Sequence, residues 1–235
     1  VAIQALIFDV FGTLVDWRTS IIAELRAFGA ERGLAHVDWD GFVDDWRAAY
    51  VPAMERVRTG ELPWTNLDAL HRASFDELAD RFGLHVLGER ERAHCAFAWH
   101  RLRAWPEVPA ALDRLRRRYV LAPLSNGNVS LLIDLARYAD LRFDTILSAE
   151  LFHHYKPDPQ TYLGAAELLG VPPSDVLMVA AHNGDLHAAA SLGLKTAFLP
   201  RPGEYGPRQS NDLTADTGID YPVRDLDDLA DRLGA

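Results

Sequence analysis

The sequence predicts an α/β fold, a doubly wound parallel sheet with an all-helical cap inserted after its first strand. Two observations carry that expectation. Five short apolar runs, Ile3 to Phe8, Tyr119 to Leu124, Thr145 to Leu147, Val176 to Ala180 and Lys195 to Leu199, are separated by stretches with helical spacing. Strands that alternate with helices call for a parallel sheet covered on both faces. The region from Trp17 to Trp99 breaks the alternation, because apolar residues recur there only at helical intervals.

Taken in order, the first run is rich in β-compatible side chains and ends in Asp-Val-Phe-Gly-Thr, which predicts a buried strand and a tight turn. In the insert, Ile21, Ile22, Leu25 and Phe28, then Leu67, Leu70, Phe75 and Leu78, mark the inner faces of helices. Trp39, Trp46 and Trp64 lie inside it, with Trp17 and Trp99 near its edges, and most of these rings are expected in a core. The predicted division is a core domain of residues 1–16 and 100–235 and a helical cap of residues 17–99. A later helix is well marked, with Asp158 as its cap, Pro159 in its first turn and Gly170 just past its end. From Arg201 to Asp216 the chain is rich in Pro, Gly and polar residues, which predicts a long surface loop without chemistry.

Bulk properties narrow the function. The 235 residues are 49% hydrophobic and 25% charged, an ordinary globular composition. No apolar run approaches the roughly 18–20 residues that would span a bilayer. The opening stretch VAIQALIFDV has neither a basic start nor a small-residue cleavage site, so it is expected to be a strand rather than a signal peptide. A formal net charge of −10 argues against nucleic acid and anionic membrane as partners, and an anionic substrate would need local Arg or Lys to capture it. The single cysteine, Cys95, excludes an internal disulfide and fits a cytoplasmic location.

Ligands of open α/β sheets sit beyond the carboxyl ends of the strands. There the sequence offers Asp9 and Thr13, Ser125 and Asn126, Lys156, and the segment His182-Asn183-Gly184-Asp185. One such residue is ordinarily a helix cap. Carboxylates, a hydroxyl, amides and a cation at four strand ends can assemble a nucleophile, a stabilising charge and a polar frame.

These residues resemble the motifs of the haloacid dehalogenase superfamily, and more narrowly its type II 2-haloacid dehalogenase branch. The first motif is Phe8-Asp9-Val10-Phe11-Gly12-Thr13-Leu14 and the second is Leu124-Ser125-Asn126-Gly127-Asn128. The third is Tyr155-Lys156-Pro157-Asp158 with Tyr162 following, and the fourth runs from Val179 to Ala189. The resemblance implies a Rossmann-like core with a cap and an ester-forming Asp9. It also implies that Lys156 keeps Asp9 ionised, and that Asp185 orients Lys156 and helps activate water. Thr13, Ser125, Asn126, Tyr162, His182 and Asn183 would hold the small anionic substrate, and Arg47 of the cap would receive the halide with Asn126. A homodimer is implied by likeness alone.

Two departures separate this chain from phosphatase relatives. Phe11 stands where they carry the Asp that protonates the leaving alkoxide, and Ala181 stands where they carry a carboxylate that helps to hold magnesium. Halide leaves without a proton and needs no metal, so neither metal nor cofactor is expected. The fourth motif also departs from well-recognised 2-haloacid dehalogenases: Ala180 replaces a serine, His182 an asparagine and Gly184 an aromatic. His182 could face halide, Asp9 or water, or brace Asp185 from behind. The expected activity is hydrolysis of 2-haloacids or haloacetates, fluoroacetate among the candidates. Three alternatives stay open: a magnesium-dependent phosphatase, a hydrolase of strained C–N rings, and a non-catalytic binding protein.

Overall fold

In the computed structural model, which describes residues 2–235, the first apolar run forms β1 (Ala5–Phe8) at the centre of a sheet; residue 1 of the expected core segment lies outside the described residues. Every side chain of β1 is buried, as a strand covered on both faces requires. The chain then makes a two-residue strand, β2 (Val15–Asp16), and enters five helices: α1 (Trp17–Glu31), α2 (Trp39–Ala48), α3 (Tyr50–Arg58), α4 (Leu67–Ala79) and α5 (Glu89–Ala96). It returns through β3 (Arg103–Ala104), which pairs antiparallel with β2. This ribbon joins the two parts, and residues this short leave no periodic trace in the sequence.

The rest alternates: α6 (Val108–Leu115), β4 (Val120–Ser125), α7 (Val129–Tyr138), β5 (Leu147–Ser148), α8 (Pro159–Leu169), β6 (Val176–Ala180), α9 (Asn183–Ser191), β7 (Lys195–Phe198), β8 (Tyr221–Pro222) and α10 (Leu226–Arg232). The six-stranded sheet has the order β5-β4-β1-β6-β7-β8, and all its pairings are parallel. The expected α/β architecture is present, with edges that differ. The run predicted at Thr145 to Leu147 pairs only at Leu147 and Ser148, and β8 was not foreseen. Edge strands this short are held by one neighbour, so local composition barely marks them. Asp158 ends the loop before α8, yet its carboxylate does not cap the helix. Instead it accepts hydrogen bonds from Arg58 of α3.

Apolar side chains of the sheet and of the five inserted helices form one continuous cluster. Phe42 and Phe75 are fully buried in it and meet nearly edge to face at 5.2 Å. Burial of each such ring contributes about 1.5–3 kcal/mol. Trp99 stacks on Trp17 at 6.1 Å and packs edge-on against Phe11 of the first motif. These rings therefore set the height of the helices above the strand ends. His100 adds a polar tie, with its two ring nitrogens 3.0 Å from Asp68 of α4 and 2.9 Å from Asp134 of α7. No helix among the described residues is long and apolar enough to cross a membrane.

Candidate active site

Asp9 follows β1 directly, and its backbone N–H donates to Val179 of β6, so the strand end itself aims the carboxylate. The residue is 7% exposed and its carboxylate accepts on both oxygens. Lys156 Nζ donates to Oδ1 at 2.8 Å and Thr13 Oγ1 donates to Oδ2 at 2.7 Å. Thr13 is in turn fixed by the N–H of Ala181 at 2.9 Å. Burial alone would raise the pKa of Asp9. The Lys156 ammonium and the His182 imidazole outweigh it and hold the carboxyl well below the usual carboxylate range.

Lys156 also donates to Asp185 Oδ2 at 2.6 Å, and Tyr162 donates its hydroxyl to Asp185 Oδ1. Flanked by two carboxylates, Lys156 is held above its ordinary pKa despite burial. Burial and the neighbouring Asp185 keep Tyr162 protonated, so it acts as a donor. Asn126 Oδ1 accepts the backbone N–H of Lys156 at 2.7 Å, which leaves its amide donors for the cleft.

A cleft of about 290 Å³ opens above these groups and is lined by Asp9, Phe11, Asn126, Lys156, Tyr162, His182 and Asp185 from below. That volume is at the low end of ligand pockets and suits a short acid. From above, α2 and α3 contribute Arg47, Tyr50, Val51 and Met54. Arg47 lies 4.3 Å from the ring centre of Tyr50 and 5.8 Å from that of Tyr205. Its Nε is buried without a hydrogen-bond partner. Among the described residues its guanidinium donates only to the Tyr205 hydroxyl, at 3.4 Å. A cation so placed has donors free for an anion that enters the cleft.

Several expected substrate contacts are placed differently. Thr13 and Ser125 are fully buried and do not line the cleft. Thr13 braces Asp9, and Ser125 Oγ accepts the N–H of Gly127 inside its own turn. Asn183 is turned away: its amide donates to Asp212 and to the Thr214 carbonyl, and its oxygen accepts the N–H of Asp216. It starts α9, and from that position its side chain clamps the following loop rather than a ligand.

His182 does not stand behind Asp185. Its Nδ1 lies 3.3 Å from Asp9 Oδ2, and its Nε2 lies 3.1 Å from each oxygen of Glu204. Glu204 belongs to the stretch expected to be a surface loop, and here the structure differs, because this side chain is buried and reaches the cleft wall. It is 1% exposed and accepts from the Trp17 indole at 3.0 Å. Gly12 makes room for it. Its φ of +86° suits glycine, and a Cβ there would lie 2.0 Å from Glu204 Oε1. Neither Glu204 nor Tyr205 has a signal in periodicity or spacing; a Glu-Tyr pair between two glycines is the only mark.

The pattern of the haloacid dehalogenase-like hydrolases matches residues 3–193. The chain belongs to that family. Among curated relatives, the (S)-2-haloacid dehalogenase 4A of Burkholderia cepacia is 29% identical over 212 residues, which span 86% of this chain and 85% of the relative. The crystal structure of an L-2-haloacid dehalogenase superposes with a TM-score of 0.95 at 51% identity, covering 99% of both chains. That of a defluorinating L-2-haloacid dehalogenase gives 0.96 at 42% identity, covering 99% of this chain and 96% of that one. Magnesium, used by phosphatase members of the family, does not fit this donor set. The Lys156 ammonium already bridges the two carboxylates, and Ala181 offers no ligand oxygen on its side chain.

Proposed function

We propose that this haloacid dehalogenase-like hydrolase cleaves the carbon–halogen bond of small (S)-2-haloacids and haloacetates. The observation that carries the reading is an ionised, buried Asp9 across a small cleft from Arg47, which pairs with no carboxylate among the described residues, with Phe11, not an acid, beside the nucleophile. Similarity to (S)- and L-2-haloacid dehalogenases supports it. Helices α1 to α5 act as a cap that supplies the anion-binding side and excludes water.

The substrate carboxylate and the departing halide are both anions, and the donors of Arg47 and the Asn126 amide are the groups free to receive them. One oxygen of Asp9 attacks the α-carbon from the side opposite the halide, and the carbon–halogen electron pair leaves as halide. The product is an ester on Asp9. Water then attacks the carbonyl carbon of that ester, which regenerates Asp9 and releases the 2-hydroxy acid. The displacement inverts the α-carbon and the second step leaves its new C–O bond intact, so (S)-2-chloropropionate yields (R)-lactate.

The test is halide release from chloro-, bromo- and fluoroacetate and from both 2-chloropropionate enantiomers, with EDTA present, alongside Asp9→Asn. Release by the wild type that survives chelation and disappears in the variant is expected. No release from any of these acids would overturn the assignment. Whether fluoride is released follows from the same measurement.

A further inference from the structure

Within this reading, we infer that His182, held from behind by Glu204, is the base that takes the proton from the water attacking the Asp9 ester. Three features of the site lead there. Asp185, the base expected from the resemblance, has both oxygens engaged, one by the Lys156 ammonium and the other by the Tyr162 hydroxyl. His182 instead presents Nδ1 to Asp9 Oδ2 at 3.3 Å and lines the cleft. Its far nitrogen is gripped by a carboxylate with almost no solvent contact. A carboxylate behind an imidazole fixes the ring and stabilises the imidazolium that forms when the near nitrogen accepts a proton. Beside His182, a Cβ on Gly184 would meet nothing within 4 Å, so the cleft keeps space at this wall for a water molecule.

The charges around His182 explain why it becomes a base only when one is needed. The ring faces Asp9 and Glu204 directly, with Tyr205 at its edge, and it shares the cleft with Lys156, Asp185 and Arg47. In the resting enzyme, burial opposes its charge, but the hydrogen bonds to Asp9 and Glu204 prevail and push its pKa up to about 10. It is then an imidazolium that helps to keep Asp9 ionised. Once Asp9 is alkylated, its negative charge is gone and His182 retains a single anionic partner. The Nδ1 proton departs, and together with the released halide it accounts for the acid produced by the reaction. Neutral His182 next accepts a proton from water as the water oxygen bonds to the ester carbonyl carbon. The bond from that carbon to the alkoxy oxygen then breaks, the alkoxide takes the remaining proton of the former water, and Asp9 returns as a carboxylate beside imidazolium. Ester, water and imidazole thus become carboxylate, hydroxy acid and imidazolium. Glu204 touches no substrate and is a positioning residue.

The experiment is rapid-quench halide release with (S)-2-chloropropionate by wild type, His182→Asn and Glu204→Gln, with intact-mass analysis of the quenched protein. Both variants are expected to give a burst of one halide per site, followed by turnover roughly 10²-fold or more below wild type, with the ester accumulating on Asp9. Burst and turnover that fall together without ester, or turnover that is unchanged, would overturn the inference while leaving the dehalogenase reading intact. If the wild type releases no halide, that reading fails and the inference falls with it. Because Glu204 is buried, its variant can fail to fold; NMR titration of His182 in wild type and Asp9→Asn provides a readout independent of turnover. Removing the Asp9 charge should move the His182 titration roughly 1–3 pH units lower. An unmoved titration would sink the idea.

Discussion

The two walls of the cleft handle charge in opposite ways. On the sheet side, Thr13, Asp9, Lys156, Asp185 and Tyr162 form a continuous chain of hydrogen bonds in which each charge has a partner. On the helical side, Arg47 is surrounded by the rings of Trp17, Tyr50 and Tyr205 and meets no carboxylate among the described residues. The contrast shows where folding ends and binding begins. The sheet side is complete before any ligand arrives, since an unpaired charge buried there would be costly. The helical side keeps a cation with no carboxylate partner of its own among the described residues.

Removing one member from each wall tests this difference most sharply. Lys156→Met should leave Asp185 without a cation and Asp9 with His182 alone, and lower stability by about 3–5 kcal/mol in urea unfolding, with turnover falling at least ~10²-fold. Arg47→Met, by contrast, orphans no anion. Its stability should stay within about 1 kcal/mol of wild type, while KM for a 2-haloacid rises roughly 10–100-fold through loss of a charged hydrogen-bonding partner. If both variants lose stability equally, the distinction between the walls is wrong.

A smaller effect should appear in the pH dependence of melting. His182 is raised on folding from its ordinary 6.5 to about 10, so its contribution is complete below about 6.5 and is lost as the pH rises through about 10. Melting temperature should therefore decline across that alkaline window, and His182→Asn should flatten the decline. Asp9 has the opposite sign: it is depressed on folding, so its contribution is present above its ordinary 3.8 and disappears as the pH falls through its lower folded value. The smallest change expected is at Gly184, in the first turn of α9, where a Cβ meets open space. Gly184→Ala should raise stability by about 0.5–1 kcal/mol, and turnover should fall by a similar small factor on haloacetate and longer acids, because the added methyl narrows the space of the attacking water. Loss confined to the longer acids would mean that this space holds substrate rather than water.

The parts of the site that could be read in the sequence share one property: each follows a strand of the parallel sheet. Asp9, Asn126, Lys156 and Asp185 were expected together because strand ends of such a sheet converge, and the structure brings them within hydrogen-bond reach through a few shared partners. Arg47 was reached through resemblance alone, since helical spacing does not distinguish a cleft arginine from a solvated one. Asn183 was misplaced for a related reason. It sits in the right motif, but a side chain one position along a helix start points about 100° away from its neighbour, and here that direction is toward residues 212–216.

The sequence by itself determined the order of the five strands marked by apolar runs and the helices between them, the position of Asp9 at the end of β1 and the absence of an acid at Phe11, because these are properties of local pattern and residue type. Only the tertiary structure decided which groups face one another. Glu204 lies 195 residues from Asp9 along the chain, in a loop without periodicity, yet it reaches His182 because Gly12 leaves space above the first turn and the Trp17 indole holds its carboxylate. Contacts of this kind depend on packing between distant segments, and packing has no signature in the neighbours of a residue along the chain.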